Sequence, residues 1–127
     1  MISRREGRRA AVFMLYQADV TGQPLGTLYE GAVDDFAWDL AQAVAAEAPR
    51  LDERITAAAE DWTADRLGAV ERNVLRVAIH ELDAAEVPKE VAIDEAVGLA
   101  KRYGASDEAG RLVNGILGRI LKDKEAA

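Results

Sequence analysis

Between Glu90 and Leu121 the apolar positions fall into two helical seams with a tight corner between them. Val91, Ala96, Val97, Ala100 and Tyr103 recur at helical spacing and form the first. Ala109, Leu112, Val113, Ile116, Leu117, Ile120 and Leu121 form the second, almost without gaps. Gly104 stands where the first helix must end, because glycine accepts a left-handed backbone without a Cβ penalty. Ser106 or Asp107 can then cap the next helix by bonding its free N–H groups. The second seam is too apolar to stand alone, so other parts of the chain must cover it.

The same periodicity predicts helices in the rest of the chain. Ser3-Arg4-Arg5-Glu6 has capping-box spacing and opens a helix that runs to about Val20 and stops at Gly22. Ala11, Met14, Leu15 and Ala18 are its core face, with Val12 and Tyr16 on the shoulder. Gly22 to Gly31 reads as a loop or a short helical turn, punctuated by Pro24 and Gly26. Asp34 or Asp35 opens a helix through Glu47 with Phe36, Leu40, Ala43 and Val44 as its seam. Pro49 ends that helix or begins the next, whose seam is Leu51, Ile55, Ala58, Ala59 and Trp62. From Thr63 or Asp65 a further helix is apolar over a wide arc (Val70, Val74, Leu75, Ala78, Ile79, Leu82), as a central bundle helix should be. Glu71 and Arg72 fall on its polar side, with Arg76 one turn beyond Arg72, and Val87-Pro88 breaks it. No Val/Ile/Thr run alternates with period two. The fold class is therefore all-α, with residues 1–127 as a single domain.

Composition narrows the function classes. The chain has 127 residues and no cysteine, which excludes disulfides and thiolate metal sites. The single histidine, His80, has no Ser, Cys or second His at a useful spacing, so it reads as a polar helix group rather than a general base or ligand. Arginines followed by AAVFMLY faintly suggest a signal peptide, but Gln17 and Asp19 interrupt the apolar part. No run approaches the roughly 18 apolar residues of a membrane helix. A cytoplasmic protein that needs no cofactor and meets no membrane is expected.

Charge is unevenly distributed. Residues 3–9 carry Arg4, Arg5, Arg8 and Arg9 against Glu6, a local charge of +3 within a chain of −7, which leaves −10 elsewhere. At this spacing the four arginines should share one broad side of the first turns, a solvated face or an anion contact. Cations at a helix N-terminus oppose its dipole by a few tenths of a kcal/mol, which favours a bound anion there. Trp38 and Trp62 can act as RNA-stacking platforms, although such residues at helical spacing are more often core or rim packing. Asp94 and Glu95 lack the Glu-x-x-His partners of a carboxylate metal site and read as first-turn acids that suit the helix dipole. Gly104, Gly110, Gly115 and Gly118 lack the Lys-Ser/Thr ending of a phosphate loop. Gly115 and Gly118 would instead let another helix approach closely.

VERNVLRVAIHEL, VPKEVAIDEAVGLAK and VNGIL, in this order and spacing, together with the arginines ahead of AVFMLYQ, closely resemble the bacterial transcription antitermination NusB family. The resemblance covers nearly the whole chain and is weakest from Gln23 to Asp61. It implies two packed helical subdomains and a protein that is not an enzyme. Such proteins bind the boxA element of leader RNA together with the ribosomal protein NusE. They let RNA polymerase, within an antitermination complex, read through terminators on ribosomal RNA operons. By position, Arg4, Arg5 and Arg8 match the family's basic RNA-binding helix, and Arg9 adds charge beside them. Arg76 and Arg111 match further RNA-facing positions; Glu71, Tyr103 and Asp107 match the face that meets the partner. Three positions depart from the pattern: Glu6 interrupts the arginine run, His80 replaces a common tyrosine, and Leu112 replaces a common phenylalanine.

The resemblance leaves two competing assignments. NusB-like domains also occur fused to ribosomal RNA cytosine methyltransferases, which need a nucleotide-binding domain and a catalytic cysteine. A helical adapter that binds only protein is the other. The family includes both monomers and homodimers, and in the latter the arginine helix can be hidden.

Overall fold

The computed structural model describes residues 3–29, 33–60 and 62–126. Helix α1 spans Arg4–Thr21. The Ser3 hydroxyl accepts from the Glu6 N–H while the Glu6 carboxylate accepts from the Ser3 N–H, both at 3.1 Å, so the capping box is complete. Gly22 ends the helix at φ 72°, a left-handed position where a Cβ would be strained. A single helical turn, α2 (Leu25–Leu28), follows; Gly31, expected to close this loop, lies outside the described residues. Helix α3 (Asp35–Ala46) starts at Asp34, whose carboxylate accepts from the Ala37 N–H. Pro49 begins a helix rather than ending one: it lies in the first turn of α4 (Ala48–Ala58).

Helix α5 (Ala69–Ala84) starts later than its apolar pattern suggests. A 3₁₀ turn, Ala64–Arg66, precedes it. The Thr56 hydroxyl accepts from the Ala64 N–H, the Arg72 guanidinium donates to the carbonyls of Ala64 and Leu67, and Leu67 is buried. These contacts hold the segment against α4 and delay the helix. Helices α6 (Lys89–Tyr103) and α7 (Ala109–Ala126) complete the chain.

The central helix is α5, which packs on α1, α3, α4, α6 and α7. Helices α1 and α3 lie against each other on one side of it, and α4, α6 and α7 on the other. The molecule is thus an all-helical bundle of two packed subdomains, with no strand among the described residues. Leu75 and Ile79 on α5, Leu51 and Ile55 on α4, and Leu117 on α7 are fully buried. Each contributes on the order of 1.5–3 kcal/mol of hydrophobic stabilisation.

Several seams are rotated from their expected positions. On α6 the buried stripe is Ala92, Ala96 and Ala100, at strict i, i+4 spacing, while Val91 is exposed. On α3, Ala37 and Ala41 are buried instead of Phe36 and Ala43, and on α1 Val12 belongs to the core. On α6 and α3 the buried alanines allow closer helix contact, and Val91 and Phe36 are displaced outward. Trp62 leaves the α4 seam and is half exposed, because Glu60 takes a left-handed φ of 59° and turns the chain outward; Trp38 packs at the rim of the core.

The corner between α6 and α7 also differs. Gly104 is extended (φ −68°, ψ 167°), not left-handed. Its lack of a side chain serves space: a Cβ there would lie 2.4 Å from both the Ala100 carbonyl oxygen and the Ala109 methyl. Ser106 is a turn residue just ahead of α7, its hydroxyl accepting from the Glu108 N–H at 3.3 Å. Gly115 and Gly118 face open space, so no helix approaches them in the bundle.

Candidate nucleic-acid interface

The first two turns of α1 lie against α3 and α5, with their outer side facing α6. The Arg4 guanidinium lies 4.7 Å from the Phe36 ring centre, a cation–π contact that holds it while leaving it exposed. Arg5 is exposed and donates through Nε to Glu95 at 2.8 Å. Arg9 lies with its Nη1 3.5 Å from the Tyr103 hydroxyl. Arg5, Arg9 and Arg102, interleaved with Glu6, Asp94 and Glu95, line a groove of about 450 Å³ between α1 and α6, and Arg4 lies outside it on the α3 side. Tyr103 forms its back wall. The Phe13 ring meets Tyr103 edge-on at 4.9 Å, and the Arg102 guanidinium sits 5.3 Å from its centre. Guanidinium forks beside a fixed aromatic ring are the groups that hold phosphates and unstacked bases.

Arg8 does not join this surface. It is buried and makes two bonds to the equally buried Glu81 on α5, Nε to Oε1 at 2.6 Å and Nη2 to Oε2 at 2.8 Å. At roughly 100° per residue, position 8 points between Ala11, Val12 and Leu15, all of which are buried. The expectation of four arginines on one exposed side is thus corrected to three at the surface and one in the core. That signal was present in the sequence, since an arginine on an apolar seam requires a buried acid.

Arg76 also lies away from the groove, toward the other end of α1. It makes a bidentate pair with Asp52 of α4, at 2.7 and 2.6 Å, and its Nη1 also reaches Asp19 and Asn73. Arg72 and Asn73 donate to the same Asp19 carboxylate at 2.8 and 2.9 Å. Burial alone would push the Asp19 carboxyl up. Bonds from Arg72 and Asn73 and the charges of Arg72 and Arg76 outweigh that effect and hold it below its ordinary 3.8. This network joins α1, α4 and α5, so both arginines expected on the polar side of α5 are committed within the fold.

The third region is the α6–α7 corner. Glu71, expected on a polar face, is buried at the start of α5, and its two oxygens lie 3.3 and 3.4 Å from the Ala105 N–H. It thereby ties the corner to the favourable end of the α5 dipole. Asp107 and Arg111 are exposed just beyond, and Arg111 lies 3.6 Å from Glu108. Leu112 and Ile116, with Arg111 and Arg119, line a second groove of about 440 Å³ against the end of α4. Tyr103 links this corner to the arginine groove.

His80 contacts Glu47 at 3.1 Å as a side-chain polar pair. Hydrogen bonds from His80 and Arg50 hold the exposed Glu47 carboxyl below its usual range. Asp94 and Glu95 lie beyond the first turn of α6, and Glu95 serves as the partner of Arg5. Among the described residues no cluster of three His, Asp or Glu side chains could hold a metal. No helix is long and apolar enough to cross a membrane among them. Arg102 and Phe36 were not expected as parts of the site. The basic, aromatic end of α6 signals the first; the second depends on the α1–α3 contact, which no local pattern shows.

The NusB family profile matches residues 5–122. The transcription antitermination protein NusB of Rubrobacter xylanophilus is 42% identical, over 97% of this chain and 92% of its own length. The T. maritima NusB structure superposes with a TM-score of 0.84 at 34% identity, covering 96% of this chain and 92% of that one. A crystal structure of antitermination factors NusB and NusE in complex with dsRNA gives 0.80 at 30% identity, covering 94% and 96%. Sequence match, helical order and fold agree along almost the full length, and the chain belongs to the NusB family.

Proposed function

We propose that residues 1–127 act as one RNA-binding antitermination domain without catalytic activity. It recognises boxA-type leader RNA jointly with NusE and promotes read-through by RNA polymerase on ribosomal RNA operons. The observation that carries this is the convergence of Arg5 and Arg9 on one groove whose back wall is Tyr103. The groove belongs to a chain similar to a protein solved with NusE and dsRNA. Arg4, Arg5, Arg9 and Arg102 contact the strand, and Arg111 extends the contact across the corner. Arg8, paired inside the fold with Glu81, supports it from behind, whereas Arg76 is held by Asp52 and Asp19 toward the other end of α1. Tyr103 and Asp107 present the corner to the protein partner, and Glu71 orders that corner from beneath.

The physical logic favours joint binding. Each phosphate neutralised on a single strand contributes about −0.7 to the slope of log affinity against log salt. The exposed Arg4 and Arg5 and the half-buried Arg9 on α1 therefore supply a modest term on an acidic protein. A second protein that contacts both the corner and the strand raises affinity through linkage, typically 5–150-fold. The test is affinity for a boxA-type single strand and for duplex RNA, at fixed salt, with and without NusE. At least a fivefold gain with NusE is expected; equal affinities would contradict joint recognition.

A further inference from the structure

We infer that Arg8 is a positioning residue for RNA binding: its buried pair with Glu81 sets the rotation of α1 that aims Arg5 and Arg9 into the groove. This rests on the RNA-binding reading above and refines how that surface is built.

The pair has no route to a strand. Both side chains are about 7% exposed. Val74, Val77, Ala78, Ala92, Ala96 and Leu99 enclose them, with a residual gap of only about 10 Å³. A phosphate could reach Arg8 only by displacing Glu81 from a two-point contact and opening the bundle. The planar guanidinium fork fixes orientation as well as distance, which a lysine could not do.

Over the first two turns of α1 the apolar contacts are small: Gly7, Ala10 and Ala11 give this stretch little relief, while the larger Val12, Met14 and Leu15 grip the helix only further along. A buried ion pair adds little stability over apolar side chains of the same volume, but it strongly disfavours other arrangements. Arg5 and Arg9 lie three residues before and one after Arg8, roughly 60° and 100° around the helix from it. With Arg8 pinned to α5, both therefore face α6, where Glu95 and Tyr103 meet them.

The test compares salt slopes for a boxA-type single-stranded RNA, using the full chain and variants whose unfolding is measured in parallel. Arg5→Gln and Arg9→Gln are the references; each should lower the slope by about 0.7. Arg8→Glu alone should lose folding or affinity, because it sets two buried acids together. Adding Glu81→Arg should rescue both, with affinity within about threefold and the slope unchanged. If the exchanged pair does not fold, Arg8→Met with Glu81→Leu decides. It should keep the parental unfolding midpoint and slope yet bind about three- to tenfold more weakly. A slope lower by about 0.7 in either double variant would make Arg8 a phosphate ligand, and full affinity in the apolar one would make it merely structural; both overturn the inference. References that leave the slope unchanged would instead overturn the RNA-binding reading, and this inference with it.

Discussion

Arg5 and Glu95 meet at 2.8 Å from positions 90 residues apart, yet the arginine side chain stays 79% exposed. The carboxylate thus holds Arg5 at the mouth of the groove and also competes with any phosphate for it. Exposed pairs of this kind are worth about 0.2–1 kcal/mol. Glu95→Gln should therefore raise affinity for single-stranded RNA by up to about fivefold at low salt, with the gain fading as salt screens the charges. Weaker binding by this variant in a titration would show that Glu95 orients Arg5 instead of competing for it.

Asp19 predicts an acid response. Its carboxyl is held below 3.8, mainly by bonds from Arg72 and Asn73 acting against burial. A folded value below the unfolded one adds stability above 3.8, and that contribution is lost as pH falls further. Near neutral pH, Asp19→Asn should cost about 2 kcal/mol, the scale of hydrogen bonds to charged groups. The gap between variant and parent should narrow on acidification below 3.8. Urea unfolding across that range is the measurement, and a gap that stays constant would place the sensitivity elsewhere.

Two glycines should respond with opposite signs. At Gly104 an added methyl would press on the Ala100 carbonyl and the Ala109 methyl, both at 2.4 Å. Gly104→Ala should lower stability by about 1–3 kcal/mol. At Gly115 a methyl meets open space within a helix, so Gly115→Ala should raise stability by about 0.8–1 kcal/mol. Thermal unfolding distinguishes the two, and a gain at Gly104 would contradict the tight corner.

Helix order and some caps were legible because they depend on local rules. The Ser3–Glu6 box and the stop at Gly22 need no tertiary information, whereas α5 ends at Ala84 on a left-handed Ala85, ahead of the break expected at Val87-Pro88, and Pro88 instead precedes α6. The exact faces were less legible. Alanine-rich seams such as Ala92, Ala96 and Ala100 owe their burial to close approach, which apolar periodicity weighs less than the larger Val91. Charged residues were hardest. Arg8, Glu71, Arg72 and Arg76 occupy polar-looking positions, but their roles depend on Glu81, the Ala105 N–H, Asp19 and Asp52 in distant parts of the chain. Position 8 was the exception, since its place among Ala11, Val12 and Leu15 already implied burial.

RNA affinity of the Arg5→Glu, Arg9→Glu double variant, measured beside its NusE affinity, tests the account most directly. Losing two charge-assisted contacts should weaken binding to the boxA-type strand by about a hundredfold or more. NusE affinity should fall far less, because Arg5 does not touch the α6–α7 corner and Arg9 reaches it only through the Tyr103 hydroxyl at 3.5 Å. Undiminished RNA binding by this variant would contradict the account.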